Sequence, residues 1–144
     1  MVKATQDLPG QRLFQYIDDN GEICPVTSTD VNAYLVQISG ADISAKDFRT
    51  WSGTVLAAAE LASREKPETQ GMAKAQVKTA IANVAARLGN TPTICRKCYV
   101  HPALIEDYVS GEFSLPRAKR VGLSAEEAAT LAFLLRKTPA RRAA

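Results

Sequence analysis

The sequence predicts a mainly α-helical domain with one small β-hairpin near its N-terminus. Two observations carry that expectation. After Ser28, apolar stretches at helical spacing are bounded by residues that cap a helix start and by glycine or proline at helix ends. Before Ser28, two short apolar runs flank Asn20-Gly21, a strong hairpin dipeptide. The 144 residues, 46% hydrophobic and 23% charged, fit one domain over 1–144 that buries a core without disulfide staples.

Leu13 to Ile17 (LFQYI) reads as the first strand, Asp18-Asp19-Asn20-Gly21 as the turn, and Glu22 to Val26 as the return strand. Pro25 lacks a backbone donor and suits an edge. Ser28 or Thr29 can cap a helix to about Ile38, stopped by Ser39-Gly40. Ser44 can cap a longer helix from Ala45 to about Ser63, apolar at Phe48, Val55, Leu56 and Leu61. Gly53 inside it costs about 1 kcal/mol against alanine, unless a neighbour packs closely there. A polar link over 64–70 contains Pro67.

Met72 to Leu88 is the next helix, apolar at Val77, Ile81, Val84, Ala85 and Leu88 and stopped by Gly89. Thr91 caps a further one that opens on Pro92, and Pro102 opens another through about Val109. A basic, irregular link runs from Glu112 to Gly122. Ser124 with Glu127 forms a capping box for a last helix to about Lys137. The tail, ending Arg141-Arg142-Ala143-Ala144, is expected to fray.

No apolar run approaches the roughly 18 residues that span a membrane. The first residues lack the apolar core of a signal peptide, so an intracellular location is the expectation. Three cysteines exclude a complete disulfide framework, and in a reducing compartment Cys24, Cys95 and Cys98 are free thiols. The net charge of +3 is too mild to argue for nucleic acid by itself, so the placement of the cations matters more.

The stretch CRKCYVHP, residues 95–102, concentrates the chemistry. Structural zinc needs four ligands, usually two pairs; here one C-x-x-C pair has only the distant Cys24 and His101 for company, so no metal site is expected. A thioredoxin-like redox pair belongs in a βαβ pattern, which is absent. Two cysteines partly packed on a short helix remain. Tyr99 has a phenol whose ordinary pKa near 10 makes it a poor nucleophile, unless cations and amide donors stabilise the charge that develops. Arg96 and Lys97 precede it, a pattern equally at home on a surface helix. Its company is more telling. ISAKDFRTWSG (43–53) places Lys46 and Arg49 near a helix start, where backbone donors favour anions. LGNTP, a little before the tyrosine, supplies a helix stop and the polar Asn90.

These motifs together, QDLPGQRLFQYIDDNGE, VNAYL, AKDFRTW, LGNTP and RKCYVHP, closely resemble the C-terminal part of bacterial and poxvirus-like type IB DNA topoisomerases over nearly the whole chain. The resemblance implies a helical catalytic domain of the type IB topoisomerase/tyrosine recombinase type. In that family a tyrosine attacks a DNA phosphodiester and forms a 3′-phosphotyrosyl intermediate. The released 5′-hydroxyl strand rotates and then reseals the break, without ATP, metal or other cofactor. Residue by residue, Tyr99 falls on the nucleophile and Arg49 on an arginine that holds the scissile phosphate. Asn90 falls on a position held by histidine or asparagine. An arginine fork suits two phosphate oxygens and stays charged throughout.

The resemblance further implies double-stranded DNA as partner, a monomer, and a bacterial, nucleoid-associated cytoplasmic location. Lys46, Lys74, Lys78, Arg96 and Lys97 are then candidate DNA contacts, with Arg117, Lys119 and Arg120 beside them. His101 reads as a local packing or capping residue, and Phe48 and Trp51 as core. One departure matters. The family's second arginine and its general-acid lysine lie upstream of the QDLPGQ segment, and Lys3 sits where the family has the middle of the preceding helix. The expectation is therefore a C-terminal catalytic-domain fragment, without the family's N-terminal β-rich domain and poorly active alone. A DNA-binding fragment without chemistry and a tyrosine recombinase relative are the alternatives.

Overall fold

The computed structural model describes residues 14–137. Leu13, the segment around Lys3 and the tail Arg141–Ala144 lie outside the described residues. Among those described there are six helices and one two-stranded antiparallel sheet, as the sequence predicts. The chain divides between Asp47 and Phe48 into two compact units.

In the first unit, β1 (Gln15–Ile17) pairs with β2 (Ile23–Pro25) in the register Gln15↔Pro25, Tyr16↔Cys24, Ile17↔Ile23. The connection is longer than the two-residue turn that Asn-Gly usually marks. Gly21 donates to the Asp18 carbonyl (3.0 Å) and Asp18 to that of Glu22 (2.9 Å), with Gly21 in the left-handed region at φ 83°. The Asp18 carboxylate accepts from the N–H groups of Asn20 (2.9 Å) and Glu22 (2.8 Å), which holds its pKa below the ordinary value, the Glu22 bond most of all. A turn closed by an aspartate and followed by a left-handed glycine is the usual form of a slightly longer hairpin loop.

Helix α1 (Ser28–Ser39) is capped by Thr27, not by Ser28 or Thr29. The reason lies at Asp30, whose carboxylate takes the Thr27 N–H (2.7 Å) and hydroxyl (2.6 Å) and completes a capping box. Gly40 ends it at φ 66°, donating to the Val36 carbonyl. Helix α2 (Ala45–Ala62) crosses the boundary between the units. Ser44 turns its hydroxyl and N–H onto the Asp47 carboxylate (2.7 and 2.8 Å).

The second unit holds the rest of α2 together with α3 (Gln70–Leu88), α4 (Pro92–Cys98), α5 (Pro102–Ser110) and α6 (Ala125–Lys137). Its core is assembled from Ala57, Ala58 and Leu61 of α2, Val77, Ile81 and Val84 of α3, Cys95, Val100, Leu104, Tyr108 and Phe133. Small residues dominate the buried stripes of α2 and α3, which lets backbones approach closely. Thr69 caps α3 by accepting from Met72, so that helix begins ahead of the expected Met72. The capping box of α6 forms as expected: Ser124 N–H donates to Glu127 (2.8 Å) and Glu127 N–H to the Ser124 hydroxyl (3.2 Å).

Phe48 is a correction. It is 53% exposed, because it lies two and a half turns before Ala57 and so on the opposite side of the helix from the buried stripe. Trp51 is half-buried, with its indole N–H on the Glu127 carboxylate at 3.2 Å. No described helix is long and apolar enough to cross a membrane.

Candidate active site

The site begins where α3 ends. Gly89 adopts φ 64°, so that its own N–H reaches the Ala86 carbonyl (3.3 Å) and that of Asn90 reaches Ala85 (2.9 Å). This is the paired closure of a Schellman motif, which satisfies two of the last carbonyls of the helix. The Leu88 carbonyl is left over, pointing on past the end of the helix. Two side chains converge on it: Arg49 Nη2 at 2.8 Å and Asn90 Nδ2 at 3.2 Å. The bond to Leu88 occupies one of the five guanidinium donors. It fixes where the cation stands and leaves donors for an anion.

Tyr99 is brought to the same place from another direction. Thr91 caps α4 and Pro92 fills its first turn, as the sequence predicts, and Tyr99 ends that helix with φ −125° and ψ −6°. The Arg49 guanidinium carbon lies 5.1 Å from the centroid of the Tyr99 ring. Such a contact contributes about 0.5–1 kcal/mol where it is solvent-exposed, so here it is mainly a matter of alignment. Arg49, Asn90 and Tyr99 thus form one cluster.

Gly53 explains how α2 comes so near. A Cβ built there would stand 2.6 Å from the Tyr99 carbonyl oxygen and 3.1 Å from its Cβ. The close neighbour that would justify a mid-helix glycine is the tyrosine itself. Either side of Gly53, Thr50 donates to the Cys98 carbonyl (3.4 Å) and Thr54 to that of Tyr99 (3.3 Å). Thr54 also accepts from the His101 N–H at 3.2 Å. His101 caps α5, its Nδ1 accepting from Ala103 at 3.2 Å, in keeping with its reading as a capping residue.

The C-x-x-C pair divides: Cys95 is buried in the core and Cys98 exposed. Burial pushes the Cys95 thiol up, away from thiolate chemistry. Among the described residues no three of His, Cys, Asp or Glu group closely enough to hold a metal ion.

The candidate DNA contacts are spread out. Lys46 is exposed in the first turn of α2, on the first unit's side of the boundary. Lys74 and Lys78 are exposed on α3, about 21 and 15 Å down the helix axis from Leu88 at 1.5 Å per residue. They are therefore not part of the Arg49–Asn90–Tyr99 cluster. Arg96 and Lys97 line a shallow cleft of about 500 Å³ with Thr93, Val100 and Pro102. Arg117, Lys119 and Arg120 are exposed in the link before α6.

Sequence reasoning missed the Leu88 carbonyl and Thr54. A main-chain oxygen has no signature in sequence. Thr54 left one faint signal, a hydroxyl one turn after Thr50 on the face that also carries Gly53.

Two comparisons bear on this arrangement. The family described as eukaryotic DNA topoisomerase I, catalytic core, matches residues 1–117. DNA topoisomerase 1B of Acanthamoeba polyphaga mimivirus is 31% identical over 114 residues, covering 74% of this chain and 34% of its own length. The chain therefore spans about a third of the length of that curated relative.

Proposed function

This chain belongs to the type IB DNA topoisomerase family, and we propose that it carries the nucleophile of a transient single-strand break in duplex DNA. Tyr99 Oη gives up its proton and bonds to phosphorus. The P–O5′ bond breaks, and O5′ takes a proton and leaves as the 5′-hydroxyl. Rotation of the free strand relaxes supercoils, and attack by the 5′-hydroxyl on the phosphotyrosyl bond reverses the step. The phosphodiester energy is kept in the linkage, so neither ATP nor metal is required.

The observation that carries this reading is the Arg49 guanidinium held over the Tyr99 ring at 5.1 Å while tethered to the Leu88 carbonyl. A cation fixed before the reaction stabilises developing charge without reorganising during it. Asn90, sharing that carbonyl at 3.2 Å, supplies a neutral donor for a non-bridging oxygen. Arg96 and Lys97 lead the duplex backbone toward the tyrosine, and Lys74 and Lys78 on α3 extend the contact, so binding weakens as salt rises.

The resemblance assigns the general-acid lysine and a second arginine to positions upstream of Gln6-Asp7-Leu8-Pro9-Gly10-Gln11. The 144 residues by themselves should then relax supercoiled plasmid poorly, since general acid catalysis alone is worth about 10² to 10⁴ in rate. A duplex with a good leaving group at the scissile 5′ position does not need the acid. That substrate should yield a covalent protein–DNA adduct, visible as a shifted band on denaturing gels, and Tyr99→Phe should abolish it. An adduct that survives Tyr99→Phe would remove Tyr99 from the mechanism.

A further inference from the structure

We propose that Thr54 is a positioning residue for the nucleophile: its hydroxyl pins the Tyr99–His101 backbone to α2 so that Tyr99 and Arg49 meet one phosphate. The inference rests on the reading of Tyr99 as nucleophile given above. Thr54 is only 3% exposed, on a helix face it shares with Ala57 and Ala58. A hydroxyl buried beside small apolar residues is stable only if its hydrogen bonds are made.

Thr54 makes two, and they close on the two ends of a single short segment. It donates to the Tyr99 carbonyl at 3.3 Å and accepts from the His101 N–H at 3.2 Å. Tyr99 has left helical geometry at φ −125°, ψ −6°, and His101 is the N-cap of α5. Val100 between them is buried at 5% exposure. The turn from α4 into α5 is thus gripped on both sides of its buried side chain.

The grip comes from the helix that carries Arg49. Arg49, Thr50, Gly53 and Thr54 follow one another along one face of α2, one turn apart in pairs. Arg49 contacts the ring of Tyr99, Gly53 admits its backbone, and Thr54 fastens its carbonyl. Cation and phenol are therefore set in register by one rigid element. In-line attack requires the reacting atoms about 3–3.5 Å apart, and a misplacement of about 1 Å can cost about 10²-fold in rate. Thr54 touches the nucleophile's backbone, not the reacting oxygen, so its effect is on geometry alone.

Thr54→Val keeps the shape and removes the hydroxyl; Thr54→Ser keeps the hydroxyl. The test uses the full 144-residue chain and single-turnover adduct formation on the duplex with the activated 5′ leaving group. DNA affinity is read by fluorescence anisotropy, and the Tyr99 ring is followed by ¹H–¹³C spectra. Thr54→Val should form adduct about 10- to 100-fold more slowly at unchanged DNA affinity, and Thr54→Ser should stay within about threefold of wild type. The Tyr99 ring resonances should move in the valine variant and not in the serine variant. Equal rates for wild type and Thr54→Val, or a serine variant as slow as valine, would overturn the proposal. If wild type forms no adduct, it is the reading of these 144 residues as competent for cleavage that fails, and the spectra decide the clamp. Ring resonances unmoved in Thr54→Val then count against it, and displaced ones sustain it.

Discussion

Gly53→Ala puts two physical effects in opposition at the centre of the site. Helix propensity alone favours the change: alanine in a helix interior is better than glycine by about 1 kcal/mol. The packing opposes it. The new Cβ would lie 2.6 Å from the Tyr99 carbonyl oxygen, 3.1 Å from Tyr99 Cβ and 3.2 Å from Leu88 Cδ1, where ordinary contact begins near 3.4 Å. The Leu88 methyl can swing aside. The Tyr99 carbonyl cannot move freely, because Thr54 holds it and Val100 is buried just beyond. Relief requires α2 and the Tyr99 segment to part by several tenths of an ångström. Overpacking of this kind costs about 1–3 kcal/mol, leaving a net destabilisation of about 1 kcal/mol after the propensity gain. For a chain of this size that lowers Tm by about 4 °C, measurable by calorimetry or by circular dichroism. The same displacement draws Tyr99 away from Arg49, so adduct formation on the activated duplex should slow by about tenfold or more. A Gly53→Ala variant with raised Tm and undiminished adduct formation would refute the close approach of α2 to Tyr99.

Two pH effects follow from the helix ends. The carboxylates of Asp30, Asp47 and Glu127 are held below their ordinary values, chiefly by the Thr27 hydroxyl, the Ser44 hydroxyl and the Ser124 N–H respectively. A depressed folded pKa stabilises above the unfolded value, so Tm should fall as pH drops from about 4.5 through the lowered values, and Thr27→Ala should flatten the Asp30 part of that fall. An acid limb identical in Thr27→Ala would count against the capping box as its source. At the other extreme, Lys137 sits 2.7 Å from the Asp107 carboxylate, and that hydrogen bond raises its pKa above 10.5. A raised folded pKa stabilises below the unfolded value, so this contribution should be intact at neutral pH and lost as pH climbs past about 10.5. Lys137→Met should lower Tm at neutral pH and remove the alkaline loss; an unchanged alkaline limb would assign it elsewhere.

Most helix boundaries were legible because they are local chemistry. Gly40 and Gly89 stop helices by taking left-handed conformations that other residue types adopt only at a cost. Pro92 and Pro102 start helices because they lack an N–H that the first turn does not use, and Ser124 with Glu127 closes its own box. The errors arose where a competing partner lay a few residues away or where tertiary packing chose which helix face turns inward. Asp30 drew the cap of α1 back to Thr27, and the face of α2 that turns inward left Phe48 exposed.

The residue types of the candidate site were equally plain in sequence. Arg49, Asn90 and Tyr99 could be named from their motifs, and Gly53 marked as a helix-interior cost unless a neighbour packs closely there. Sequence alone could not say which neighbour. It could not show that Arg49 and Asn90 converge on one carbonyl, or that Lys74 and Lys78 stand apart from the cluster. It gave Thr54 no role, since a threonine on a helix has meaning only through what lies across from it. Capping and turn preferences act over a few residues and are written in the order of the chain. The cluster joins α2, the end of α3 and the end of α4 across separations of 39 residues for Arg49–Leu88 and 45 for Thr54–Tyr99. Such contacts exist only once burial of the alanine-rich stripes has brought those helices together, so the tertiary structure decided them.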